Sequence, residues 1–215
     1  MRPKVVVVAL LSPSKTCASC GQTQNAYVVS CPNCHSLQPF PAVTPSYFEI
    51  FNIPRQLKVD LELLRRRFYE LAQNTHPDKH SQLNTYQGSL AARWSTLINK
   101  AYQTLRDPRA TSFYLLELYS LPEKETRSLP NDLAEAYFEL QDLLAESPNQ
   151  DAVHAFKNRL AEQKLAIEKD WDEIAKDWPN EADKIPLLLR LREQLNKDKY
   201  LSSMLADLKN KWEQS

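Results

Sequence analysis

Thr75-His76-Pro77-Asp78-Lys79 is the stretch on which the fold turns. An apolar-periodic run, Val59–Ala72, ends at it, and a second, Leu90–Leu105, begins a short way beyond. Pro77 has no backbone donor and biases His76 away from helical dihedrals, so a helix arriving from Asp60 stops here. This leaves a His, a rigid corner and an Asp on an exposed loop between two helices able to pack as an antiparallel hairpin. A loop stiffened in this way loses less conformational freedom when it binds a partner. A bare helix stop would account for the same five residues, so the flanks have to decide.

On the N-terminal side, Asp60 can cap a helix whose Leu61, Leu64, Phe68 and Leu71 recur at helical spacing. Its other face carries Arg65, Arg66 and Arg67, with Lys58 and Lys79 near the ends. Such a run is often only a solvated face, but beside a rigid exposed loop it is also what an acidic partner needs. The second helix buries Leu90, Trp94, Leu97, Ile98, Ala101 and Leu105 and ends near Asp107-Pro108. Upstream, Ser46 or Thr44 offers an N-cap for a short helix bearing Tyr47, Phe48, Ile50 and Phe51, closed by Pro54. Downstream, Thr111 or Ser112 is expected to start another, with Phe113, Leu115, Leu116 and Leu118.

All four cysteines fall near the N-terminus, as Cys17-Ala-Ser-Cys20 and Cys31-Pro-Asn-Cys34. Each Cys-x-x-Cys knuckle lets two thiolates converge on one cation, and two knuckles complete a tetrahedral set for zinc. Gly21 suits the tight turn after the first pair. Tyr27-Val28-Val29 is a plausible short strand of a ribbon-like hairpin, and His35 reads as a surface histidine. The site is expected to be structural, because four thiolates leave no open position for chemistry. Two disulfides or a redox dithiol pair are the competing uses of the same residues. Leu37–Pro45, with three prolines in nine residues, reads as a stiff linker.

Beyond Leu121–Pro130, which has two prolines and no periodicity, three amphipathic helices follow on short connections. The first is Leu133–Glu146, capped by Asn131 or Asp132. The second runs from Ala152 to about Trp178, and the third begins at Pro186 and reaches Trp212. Together they read as an antiparallel bundle. The expected fold is therefore mostly α. Its parts are an N-terminal tail and zinc ribbon (1–36), a linker (37–45), a helical-hairpin domain (46–120), a second linker (121–130) and a three-helix bundle (131–215).

Composition narrows the function. The 27 basic and 27 acidic residues cancel, so no global field favours nucleic acid or an anionic membrane. The charge is unevenly spread: residues 1–122 hold 13 basic and 7 acidic side chains, whereas 123–183 hold 7 and 16. That split points to separate binding faces. With only Gly21 and Gly88, phosphate-cradling loops are excluded. Asp78 with His76 could mimic an acid–base pair, but neither nucleophile nor open metal site accompanies them, and no enzyme is expected. Arg2, Lys4 and Val5–Leu11 resemble a short export signal, yet Ser12-Pro13-Ser14-Lys15 lacks a small-x-small cleavage site; a tail or added strand is preferred.

The chain resembles the J-domain co-chaperones and, within them, the HscB type that serves iron–sulfur cluster assembly. The resemblance rests on Tyr47-Phe48-Glu-Ile-Phe51, His76-Pro77-Asp78-Lys79, Asn99-Lys-Ala-Tyr-Gln-Thr-Leu105 with Asp107-Pro108, and Arg109–Leu118. The trailing acidic bundle, without a Gly/Phe-rich linker, narrows it to HscB. The resemblance implies that His76, Pro77 and Asp78 trigger ATP hydrolysis by a DnaK/HscA-type chaperone, with Arg65, Arg66, Arg67 and Lys79 docking it. It implies that the bundle holds an IscU-type scaffold through Phe138, Leu140, Glu139, Asp142, Glu146 and Tyr200. Where the family has Leu-Met or Leu-Ile in that helix, this chain has Leu133-Ala134-Glu135-Ala136-Tyr137, a departure at the scaffold face. Many eukaryotic members carry the paired knuckles that Cys17, Cys20, Cys31 and Cys34 match, and most familiar bacterial ones do not. The bacterial cytoplasm is the expected compartment, with the mitochondrial matrix as the eukaryotic alternative. A generic J protein serving another client is the competing reading. Self-association through the bundle or ribbon stays open.

Overall fold

The structure, a computed structural model, describes residues 15–24, 28–76, 85–121, 131–145 and 150–212. Among these, the two-residue strands β1 (Lys15–Thr16) and β2 (Thr23–Gln24) pair antiparallel, Lys15 opposite Gln24. Seven helices follow: α1 (Tyr47–Phe51), α2 (Leu61–Asn74), α3 (Thr85–Leu105), α4 (Pro108–Leu118), α5 (Asn131–Ala145), α6 (Gln150–Asp177) and α7 (Ile185–Trp212). None is long and apolar enough to cross a membrane. Packing divides the chain into two compact units, 1–55 with 59–106, and 56–58 with 107–215.

In the first unit the helix ends follow from local chemistry. Ser46 and Glu49 form a reciprocal capping box: Glu49 accepts from the Ser46 N–H at 2.7 Å while Ser46 Oγ accepts from the Glu49 N–H at 3.3 Å. Asn52, at φ 50°, ends α1 in the left-handed region. Asp60 accepts from the N–H groups of Glu62 and Leu63, both at 3.0 Å, and starts α2. Thr75 ends it, buried, with its hydroxyl donating to the Leu71 carbonyl. Phe48, Phe51, Leu64, Trp94, Ile98, Ala101 and Leu105 make the core, and Phe68 stacks on Tyr102 at 4.1 Å.

Helix α3 starts at Thr85, five residues ahead of the apolar run that fills the core from Leu90. Two expectations need correction. Helix α4 starts at Pro108 rather than at Thr111 or Ser112. Asp107 accepts from the Ala110 N–H at 2.7 Å, and Pro108 occupies a first-turn position where its missing donor costs nothing. By packing, α4 belongs with the second unit. The strands flank the first knuckle, whereas Val28 and Val29 lie in no strand; Tyr27 is outside the described residues.

The second unit is the helical bundle. Leu133, Ala136 and Leu140 of α5 meet Phe156, Leu160 and Ile167 of α6 and Leu201, Met204 and Leu208 of α7. Those spacings keep one face of each helix inward. Helix α4 packs on α7, where Arg109 pairs at 3.0 Å with the buried Asp198. Residues 1–14, 25–27 and 122–130 lie outside the described residues, and with them the export-signal and second-linker expectations.

Candidate functional site

The four cysteines converge. Their Sγ atoms all lie within 4.8 Å of one another, with Cys17–Cys34 at 3.6 Å and Cys20–Cys31 at 3.7 Å. Thiolates at the corners of a tetrahedron about 2.3 Å from a zinc ion would sit about 3.8 Å apart, whereas a disulfide needs about 2.05 Å. All four are free thiols, so the set fits a four-coordinate metal and not two disulfides. Both knuckles use one backbone turn. Cys17 N–H donates to Gln22 and Gly21 N–H to Cys17; likewise Cys31 N–H donates to Ser36 and His35 N–H to Cys31. Gly21 (φ 71°) and His35 (φ 58°) hold equivalent left-handed positions, which gives His35 a backbone task that its side chain did not suggest.

Donors around Cys17 and Cys34 favour their thiolates. Cys17 is lowered to about 5 from an ordinary 9.0, first by the Cys20 N–H, with Ser36, Ser19 and Gln38 adding to it against the opposing effect of burial. Cys34 is lowered by the Ser36 hydroxyl, 3.0 Å from its sulfur, and by the Ser36 N–H. Cys20 accepts from the Gln22 N–H and from Asn33, both of which lower it, but burial and the neighbouring Cys34 and Cys17 sulfurs push it up overall.

The basic face lies on α2. Arg65 and Arg66 are exposed, whereas Arg67 is drawn in toward Glu70 at 3.2 Å. The Arg65 guanidinium lies 5.7 Å over the exposed Tyr69 ring, and the Tyr69 hydroxyl holds it above its ordinary pKa. Tyr69, which composition gave no reason to single out, thus shares the outer face with Arg65, four residues away. A shallow hollow lined by Leu61, Glu62, Leu64, Arg65, Tyr102 and Arg106 opens beside them. His76 is exposed just past the Thr75 cap, while Pro77, Asp78 and Lys79 lie outside the described residues.

On α5 the candidate residues separate. Phe138 is 66 % exposed, with the Tyr137 ring edge-on at 6.2 Å and itself 39 % exposed. Leu140 is fully buried in the bundle core, so it cannot present its side chain to a partner. Glu139 is ion-paired to Arg159 of α6, and Asp142 is exposed. Tyr200, half-buried, packs against the core cluster. Glu146 lies outside the described residues.

A hairpin holding His76 between α2 and α3, ahead of a separate helical bundle, defines a J-domain protein, and the DnaJ domain profile matches residues 46–114. The human iron–sulfur cluster co-chaperone protein HscB is 31 % identical over 68 % of this chain and 66 % of its own length. The mouse protein is 31 % identical over 64 % of this chain and 60 % of its own, so the matched region spans a little under two thirds of these mammalian relatives. The HscB homologue of Vibrio atlanticus is 31 % identical over 65 % of this chain and 86 % of its own. The crystal structure of human HscB superposes with a TM-score of 0.68 at 25 % identity, covering 92 % of this chain and 98 % of that one. This chain belongs to the HscB family of J-domain co-chaperones.

Proposed function

We propose that this protein stimulates ATP hydrolysis by a DnaK/HscA-type chaperone and delivers to it an IscU-type scaffold for iron–sulfur cluster transfer. What carries the reading is the pairing, in one HscB-family chain, of a basic J hairpin ending at His76 with a separate α5 face exposing Tyr137 and Phe138. Arg65 and Arg66 supply the long-range attraction to an acidic chaperone surface, and Tyr69 supplies an aromatic anchor among them. His76, Pro77 and Asp78 form the trigger, stiffened by the proline. Phe138 anchors the scaffold, with Glu139 and Asp142 on its rim. Exposed aromatic side chains beside acids on the outer face of α5 support this assignment, since large apolar residues flanked by acids suit a polar-rimmed interface.

The proposed metal is zinc, held by Cys17, Cys20, Cys31 and Cys34. Four thiolates make a closed set, so the ion would cross-link the ribbon and take no part in catalysis. The proposed setting is the bacterial cytoplasm, or the mitochondrial matrix in a eukaryote, and relatives occur in bacteria and mammals alike. Calorimetric titration of a DnaK-type chaperone tests the docking face. The double variant Arg65→Glu, Arg66→Glu is expected to remove binding that the wild type shows at low salt and loses steadily as salt rises. Undiminished binding by the double variant rejects the docking face.

A further inference from the structure

Gln38 falls within the stretch whose prolines suggest a stiff linker, yet it is buried and each of its polar groups is engaged. Its N–H donates to the Val29 carbonyl at 2.8 Å. Its side-chain Nε2 donates to the Ser36 carbonyl at 3.0 Å and to Cys17 Sγ at 3.4 Å, while Oε1 accepts from the Ala18 N–H at 3.4 Å. One amide therefore ties the first knuckle to the end of the second. Its main-chain carbonyl faces the other way and accepts from Trp94 Nε1 of α3 at 3.0 Å, in buried surroundings. Phe40 packs its ring 4.6 Å from Trp94, and the Arg93 guanidinium lies 4.1 Å over Phe40. A second tie runs from Asn74, the last residue of α2, to Ser30 Oγ at 3.4 Å.

The four-cysteine ribbon thus grips the hairpin at two points, the C-terminus of α2 and the N-terminal half of α3. These flank the end from which His76 emerges. A hydrogen-bonded partner of a metal-bound sulfur fixes the ligand's orientation, and here the same residue also satisfies the one polar atom of the largest buried side chain of the hairpin core. We propose that Gln38 is a positioning residue through which the metal-loaded ribbon holds α3, and with it the His76 end of the hairpin, in place. This rests on the four cysteines holding a metal. It does not rest on the chaperone reading, and its test needs no chaperone.

Amide hydrogen exchange on the full chain, zinc-loaded and after chelation, reads the coupling, with bound zinc counted in parallel. In the wild type, removing zinc is expected to speed exchange across residues 90–98 as well as in the ribbon. Gln38→Met keeps the side chain's length but removes its amide. It is expected still to bind one zinc, about ten- to a hundredfold more weakly, with exchange in 90–98 no longer following the metal. Coupling is reciprocal, so Trp94→Phe, which touches no sulfur but removes the indole donor to Gln38, should weaken zinc binding by up to the factor by which zinc slows exchange in α3. Unchanged zinc affinity in Trp94→Phe overturns the proposal. Ribbon exchange that responds to zinc while 90–98 does not overturns the proposal, as does wild-type zinc affinity in Gln38→Met. A wild-type chain that takes up no zinc overturns it too, and the metal count tells that failure from the others.

Discussion

Phe138 and Leu140 lie two residues apart on α5, and replacing each by alanine should have opposite consequences. Leu140 is fully buried among Leu133, Phe156, Leu160 and Leu201. Leu140→Ala removes its transfer free energy and leaves a cavity that three packed helices can only partly close. The expected cost is about 2–5 kcal/mol, or a fall in the bundle's melting temperature of roughly 10 °C or more. Phe138, two-thirds exposed, leaves almost no cavity, so Phe138→Ala should change stability by no more than about 0.5 kcal/mol. As the proposed aromatic anchor it should nevertheless cost about 2 kcal/mol or more of scaffold affinity, a loss of roughly thirtyfold. Thermal unfolding followed by circular dichroism gives the first pair of numbers, and titration with an IscU-type scaffold gives the second. A stable Phe138→Ala variant that binds scaffold like the wild type refutes the assignment of this face. A large loss of stability in Phe138→Ala refutes the packing on which it is built.

Asp198 is buried while its partners Arg109 and Lys164 are part-exposed, which screens the pairs. Asp198→Ala should therefore cost about 1–3 kcal/mol in chemical denaturation, less than a wholly buried pair would. In the metal-free protein the folded ribbon holds Cys17 at about 5 against an ordinary 9.0. Its stabilising contribution is then complete above the unfolded value and is lost as pH falls through about 5. Ultraviolet thiolate absorbance across that window checks the sign, and loss of the signal near the ordinary value would contradict it. Chelating the metal should loosen the ribbon yet leave the helical signal of the bundle nearly intact, because the bundle core contains none of the four ligands. Far-ultraviolet circular dichroism before and after chelation measures that.

Much of this architecture is legible in the sequence because its signals are local. Asp60 before an apolar-periodic run and Ser46 three residues ahead of Glu49 each fix a boundary through backbone donors that need partners, and Pro186 marks a helix start by lacking one. The four cysteines are legible for the same reason, since two short spacings determine one geometry. The misplaced start of α4 was also readable, because Asp107-Pro108 carries both cap and first-turn proline. So was the burial of Leu140: Leu133, Ala136 and Leu140 fall on one helical face, and Phe138 falls off it. Resemblance grouped neighbours that the helical period separates. Other features leave no local trace. Three prolines make 37–45 read as a linker, and nothing nearby says that Gln38 will satisfy an indole 56 residues later. Nor does composition distinguish Arg67, turned toward Glu70, from Arg65 and Arg66, which face outward.

The most direct test of the co-chaperone role is steady-state ATP hydrolysis by a DnaK-type chaperone, with this protein and an IscU-type scaffold added singly and together. The expected result is stimulation by each that multiplies when both are present, and that disappears with Asp78→Asn. Stimulation that survives Asp78→Asn, or no stimulation with either addition, would contradict it.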